Sequence, residues 1–282
     1  MKPNSYITGA ALLVAGLCFS AANGQPPPAE ISLIQLNEDM YVFNNPGAPG
    51  NATALITDEG VVLVDDKFER DYDRIVELLR TVTDQPVRYV VNTHYHGDHS
   101  GSNAKFQAAG ADVIATEAAW ARMAELDQPG RPVFTVEETG RIHLGGKVVD
   151  LLHFGRAHTG GDLVVYFPEY QILVAGDLFN AGDIPVQLID YAGGGSSRAW
   201  TKTLDDIMML GFETVVPGHG GVTTRAEMRR YRDATVTLRE RIGEMIRQQS
   251  SREEIEAVLR GEFGWRDLHV ARGLDGIIGE LR

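Results

Sequence analysis

His94-Tyr95-His96-Gly97-Asp98-His99 places three of the chain's eight histidines and an aspartate within six consecutive residues. At this composition an H-x-H-x-D-H pattern arises by chance in roughly one such chain in two thousand, so the stretch demands a chemical explanation. It follows the β-branched run Val87-Arg88-Tyr89-Val90-Val91, which reads as a short buried strand. In an extended loop, side chains at i and i+2 point the same way, so His94 and His96 converge on one metal ion. Asp98 and His99 then point elsewhere and offer ligands to a second ion. Imidazole and carboxylate donors suit zinc best, and iron and manganese accept the same set.

Further along the chain, three more residues sit just after strand-like runs, each with glycine within two positions. They are His158 in Ala157-His158-Thr159-Gly160-Gly161-Asp162, Asp177 in Ala175-Gly176-Asp177-Leu178-Phe179, and His219 in Pro217-Gly218-His219-Gly220. A single histidine of this kind is more often structural than functional. Four such loops in one chain reverse that expectation, because glycine lets the backbone turn while the side chain enters a common cleft. His143, His153 and His269 lack such a setting and read as surface or core residues. Asp162 reads as a loop fastener that accepts backbone hydrogen bonds.

Around these loops the apolar pattern alternates between periods. Residues 31–36, 40–43, 54–56 and 61–64 read as a strand meander, and residues 71–79 as a helix. Helices are expected over 103–109 and 117–126 around a strand at 113–114, with further strands at 142, 148–152, 163–167 and 172–174. A helix over 199–210 and a strand over 214–216 follow. From about residue 223 the chain becomes helical: Met228, Tyr231, Leu238, Ile242 and Met245 stripe a charged helix over 225–248, and another starts at Ser250 or Ser251 with a capping box. No repeat and no long linker divides residues 25–282, which predicts one layered α/β domain of two packed sheets covered by helices.

The composition narrows the class of function. With 26 Lys and Arg against 39 Asp and Glu, the net charge of −13 repels polyanions, so nucleic acid is not an expected partner. Lys2 followed by the apolar residues 7–22 reads as a secretory signal spanning residues 1–24, with cleavage before Gln25 and a periplasmic or secreted product. That stretch is too short for a membrane span, none follows it, and bulky Leu17 argues against a lipid anchor on Cys18. Cys18 is the only cysteine, so the mature chain offers no thiolate to a metal.

The HxHxDH stretch with a later His, Asp and His resembles the signature of the metallo-β-lactamase superfamily, and the likeness extends from about Met40 to His219. The resemblance implies a four-layer αβ/βα sandwich with two metal ions between the sheet edges. It implies His94, His96 and His158 as ligands of one ion, Asp98, His99 and His219 as ligands of the other, and Asp177 as a bridge. Asp65, in Val62-Leu63-Val64-Asp65-Asp66, matches the family's aspartate that orients the HxHxDH loop.

Two Zn²⁺ ions so held would activate water for hydrolysis near neutral pH, with Asp98 orienting the nucleophile and passing its proton to the leaving group. The expected activity is that of a dinuclear zinc hydrolase of a small ester, lactone or amide, acting as a monomer. Residues 44–51 and 180–198 are expected to line an apolar cleft, with Arg198 and Tyr191 as candidate substrate contacts. A true β-lactamase is the first alternative. Against it, an aspartate stands at 177 where many lactam-hydrolysing members carry Cys or Ser, and no lysine follows closely. A non-hydrolytic di-iron redox protein and a metal-binding accessory protein are the others.

Overall fold

A computed structural model describes residues 30–45 and 49–282. The residues read as a secretory signal, Cys18 among them, lie outside the described residues.

The first sheet has seven strands in chain order. They are β1 (Ser32–Gln35), β2 (Met40–Asn44), β3 (Ala52–Thr57), β4 (Gly60–Val64), β5 (Val87–Val91), β6 (Asp112–Thr116) and β7 (Phe134–Val136). β1 to β4 form an antiparallel meander, and β4 to β7 run parallel. Helices α1 (Tyr72–Leu79), α2 (Gly97–Ser100), α3 (Asn103–Ala108) and α4 (Glu117–Glu125) occupy the connections between the parallel strands. The second sheet has six strands: β8 (Thr139–Leu144), β9 (Lys147–Leu152), β10 (Val164–Phe167), β11 (Ile172–Gly176), β12 (Thr214–Pro217) and β13 (Thr223–Thr224). It is antiparallel except between β11 and β12, which α5 (Ser197–Ile207) connects as a crossover. The chain ends in α6 (Arg225–Arg247), α7 (Arg252–Phe263) and α8 (Asp267–Leu281).

Two-residue alternation builds the layers. Along β4, Val62 and Val64 face the second sheet while Val61 and Leu63 face α1 and α3. Along β11, Ile172 and Val174 face the first sheet while Leu173 and Ala175 meet Trp200 and Leu204 of α5 and Met228, Tyr231 and Leu238 of α6. Each central strand is therefore buried on both faces, which explains why these runs are continuously apolar in the sequence. The result is the expected four-layer αβ/βα sandwich.

Three details differ from the sequence reading. The HxHxDH stretch is not extended throughout: His96 caps the helical turn α2, and that turn delivers Asp98 and His99. The helix expected from Ser250 or Ser251 begins at Arg252, capped by Ser251 and Glu254, but stops at Gly264 in a left-handed conformation, so a separate α8 follows. The short edge strands β7 and β13 carry too few apolar residues to be seen by periodicity.

Candidate metal centre

The residues singled out by the sequence converge at the carboxyl ends of strands. Asp65 follows β4, His94 follows β5, Asp177 follows β11 and His219 follows β12. His158 comes from the loop between β9 and β10. The two sheets approach closely here: a Cβ on Gly176, whose φ is +53°, would lie 2.5 Å from Thr93 Oγ1, so only glycine ends β11 at this position.

His94, His96 and His158 form one group, with His96 Nδ1 lying 3.1 Å from His94 Nε2 and 3.0 Å from His158 Nε2. Burial, then the charges of the neighbouring imidazoles, holds His94 well below the usual histidine range. Burial likewise depresses His158, to about 4. Both are thus neutral and present lone pairs, the form in which histidine binds metals.

Asp98, His99 and His219 form a second group. His219 Nε2 lies 3.4 Å from Asp98 Oδ2 and 3.3 Å from Asp177 Oδ1, and His99 Nε2 lies 3.2 Å from Asp177 Oδ1. The other oxygen of Asp177 turns to the first group, 3.6 Å from His158 Nε2. Asp177 therefore stands between the two groups. Burial opposes charge on His99, but Asp98, Asp65 and Asp177 outweigh it and raise the imidazole well above its ordinary value. Burial also opposes ionisation of Asp177, yet His219 and His99 hold its carboxyl well below the carboxylate range. Such a concentration of negative charge around buried imidazoles favours a cation.

A direct test of fit comes from unsatisfied atoms. His99 Nε2 and Asp177 Oδ1 are both buried and, although 3.2 Å apart, make no hydrogen bond of good geometry with each other or any neighbour. Two such ligand-type atoms facing one space fit a metal ion between them.

The surroundings orient these groups. Asp65 Oδ2 lies 2.8 Å from His99 Nδ1, and the same carboxylate accepts the backbone N–H of Thr93 at 2.7 Å and its hydroxyl at 2.8 Å. Asp162 accepts the backbone N–H groups of Ala157 and Thr159 and so fastens the loop carrying His158. Tyr191 and Arg198 do not join the cluster. The Tyr191 hydroxyl donates to Glu280 Oε2 at 2.8 Å, and Arg198 Nε donates to the Glu280 backbone carbonyl at 2.6 Å. Their contacts are with α8.

Three residues were not found by the sequence reading. Asp190 Oδ2 lies 2.9 Å from His96 Nε2 and also accepts the Tyr95 hydroxyl. Buried Lys67 donates to Asn45 Oδ1 at 2.8 Å and to the Gly50 carbonyl at 2.5 Å, pinning the loop that covers His99. Arg272 of α8 brings Nη1 to 3.0 Å from His96 Nε2. Each is an isolated residue without a motif, and only the fold reveals its position. His143 is exposed, while His153 lies against the Asp162 carbonyl and His269 against the Arg266 backbone N–H, as structural residues.

Residues 45–219 match the family model for the metallo-beta-lactamase superfamily. A metallo-beta-lactamase type 2 of Elizabethkingia meningoseptica is 26% identical over 219 residues, covering 74% of this chain and 86% of its own. The metallo-beta-lactamase type 2 of Bacillus cereus is 27% identical over 204 residues, covering 69% and 78%. Among solved structures, a metallo-beta-lactamase from Pontibacter korlensis superposes with a TM-score of 0.67 at 21% identity, covering 73% of this chain and 99% of that one. The similarity to that structure concerns the fold.

Proposed function

Because the chain belongs to the metallo-β-lactamase superfamily, whose members this similar are metal-dependent hydrolases, we propose that it is a secreted or periplasmic dinuclear zinc hydrolase of a small ester, lactone or amide. The observation that carries the reading is the convergence of two groups of ligand-type side chains on Asp177, with buried His99 Nε2 and Asp177 Oδ1 facing each other without a well-formed hydrogen bond. His94, His96 and His158 would hold one ion, Asp98, His99 and His219 the other, with Asp177 between them. When bound, such ions supply Lewis-acid chemistry, lowering the pKa of water and polarising a carbonyl.

The chain's own residues supply orientation and proton transfer. Asp65 fixes the His99 ring so that Nε2 faces the cleft, and Asp190 does the same for His96 so that Nδ1 does. Asp98 is the least buried carboxylate of the cluster. Its Oδ2 at the cleft mouth is placed to take the proton of the attacking water and return it to the leaving group. The apolar N-terminal residues 7–22 support export, and the chain acts as a monomer.

Hydrolysis of β-lactams is the second reading, favoured by the names of the relatives. Asp177 and the lack of a lysine close after it favour the first. The test is a panel of a lactone, an aryl ester, a thioester, nitrocefin and a phosphodiester, each with and without chelator. Chelator-sensitive turnover strongest on the lactone or ester is expected. Preference for nitrocefin would favour the second reading, full activity after metal removal would overturn both, and bound metal without turnover would make the chain an accessory or redox protein.

A further inference from the structure

The helix α8 lies beyond the residues matched by the family model and reaches into the cluster. Gly273, Leu274, Ile277 and Ile278 bury one of its faces in the core. Leu268, Arg272, Gly276 and Glu280 recur every four residues and form a second stripe.

Two contacts fix the height of that stripe over the loop containing Asp190. Glu280 accepts the Tyr191 hydroxyl at 2.8 Å and the backbone N–H groups of Ser197 and Arg198 at 2.9 and 3.2 Å. The Tyr191 ring lies flush on the helix, because a Cβ on Gly276 would fall 2.1 Å from its Cδ2. One turn earlier, Arg272 projects to the edge of the His94, His96 and His158 group. Asp190 makes no ion pair with it. The two Asp190 oxygens serve His96 Nε2, the Tyr95 hydroxyl and the Gly193 N–H, and no carboxylate lies within ion-pair distance of Arg272 among the described residues. By contrast Arg232, Arg241, Arg252 and Arg260 on α6 and α7 each hold a carboxylate. Only Nη1 of Arg272 meets a side chain, His96 Nε2, and its remaining donors have no hydrogen-bond partner among the described residues.

We propose that Arg272 is the specificity residue of this site and binds a carboxylate of the substrate, at a distance from the carbonyl that is cleaved. The inference rests on the hydrolase reading above and narrows it to anionic substrates. A guanidinium suits this task because its planar donors match a carboxylate in two parallel hydrogen bonds.

The test pairs 4-nitrophenyl hemiglutarate with 4-nitrophenyl valerate, which differ at the far end by a carboxylate against a methyl group. The wild-type protein should prefer the hemiglutarate in kcat/KM. That preference should fall roughly tenfold or more in Arg272→Ala and partly return in Arg272→Lys. Glutarate binding to the same metal-loaded proteins, measured by titration calorimetry, should weaken in parallel while metal content stays constant. An unchanged ratio between the two esters in Arg272→Ala, or no wild-type preference, overturns the proposal. If neither ester is turned over, the hydrolase reading fails on its own and glutarate binding decides: loss in Arg272→Ala sustains the anion site, and equal affinity overturns it.

Discussion

Replacing Gly50 by alanine tests how tightly the second group of ligands is held. The added Cβ would lie 2.2 Å from His99 Cε1 and 2.3 Å from Nε2. Ordinary carbon contacts begin near 3.5 Å, so roughly 1.2 Å must be found by moving the loop or the ring. The backbone at Gly50 has little freedom. The Gly50 carbonyl is held by Lys67 Nζ at 2.5 Å, and the neighbouring Asn51 N–H donates to the Gly218 carbonyl at 2.7 Å. The ring is tethered by Asp65 Oδ2 at 2.8 Å from Nδ1, and moving it swings Nε2 away from Asp177 and Asp98. Metal ligands tolerate displacements of only about 0.2 Å. Gly50→Ala should therefore weaken the ion at Asp98, His99 and His219 by about 100-fold or more, the upper range seen when ligand orientation alone is lost. Overpacking of this size costs about 1 to 3 kcal/mol, which a sandwich with three packed cores survives. Competition with a fluorescent chelator, alongside thermal unfolding, reads both effects. A folded variant that keeps two ions at wild-type affinity would refute the reasoning.

Other substitutions probe the remaining contacts. Asp177→Ala removes the carboxylate facing both groups, so metal content should fall by about one equivalent in elemental analysis while circular dichroism still reports a folded protein. Glu280→Ala leaves Tyr191 and two backbone N–H groups of the 190–198 segment without their acceptor, and should lower the unfolding free energy in urea by about 2 to 4 kcal/mol. Lys67 carries a pH signature, because burial pushes its ammonium down to about 8 from the ordinary value of 10.5. Between those values the unfolded chain binds the proton and the folded chain does not, so stability should rise as pH increases from about 8 to 10.5. The full change is about 3.5 kcal/mol at about 1.4 kcal/mol per unit. The slope over this window should flatten in Lys67→Met, and an equal slope in both proteins contradicts the assignment.

The sequence revealed the candidate metal site more fully than its surroundings, for a physical reason. Side chains that converge on one cleft leave compact traces, since His94, His96, Asp98 and His99 come from one turn and His158, Asp177 and His219 each come from a short glycine-containing loop. The layers were legible for a similar reason, as β4 and β11 are buried on both faces and must be apolar throughout. Asp190, Lys67 and Arg272 act on groups 94, 17 and 176 residues away, across contacts no local pattern records. Tyr191 and Arg198 both contact Glu280 in α8, and α8 itself was hidden behind the turn at Gly264.

The central claim is that two ions lie between these side chains, and anomalous diffraction at the zinc edge tests it most directly. The account predicts two peaks, one within reach of His94, His96 and His158 and one within reach of Asp98, His99 and His219, with Asp177 between them. A single peak, or peaks away from these residues in crystals grown with zinc, would contradict it.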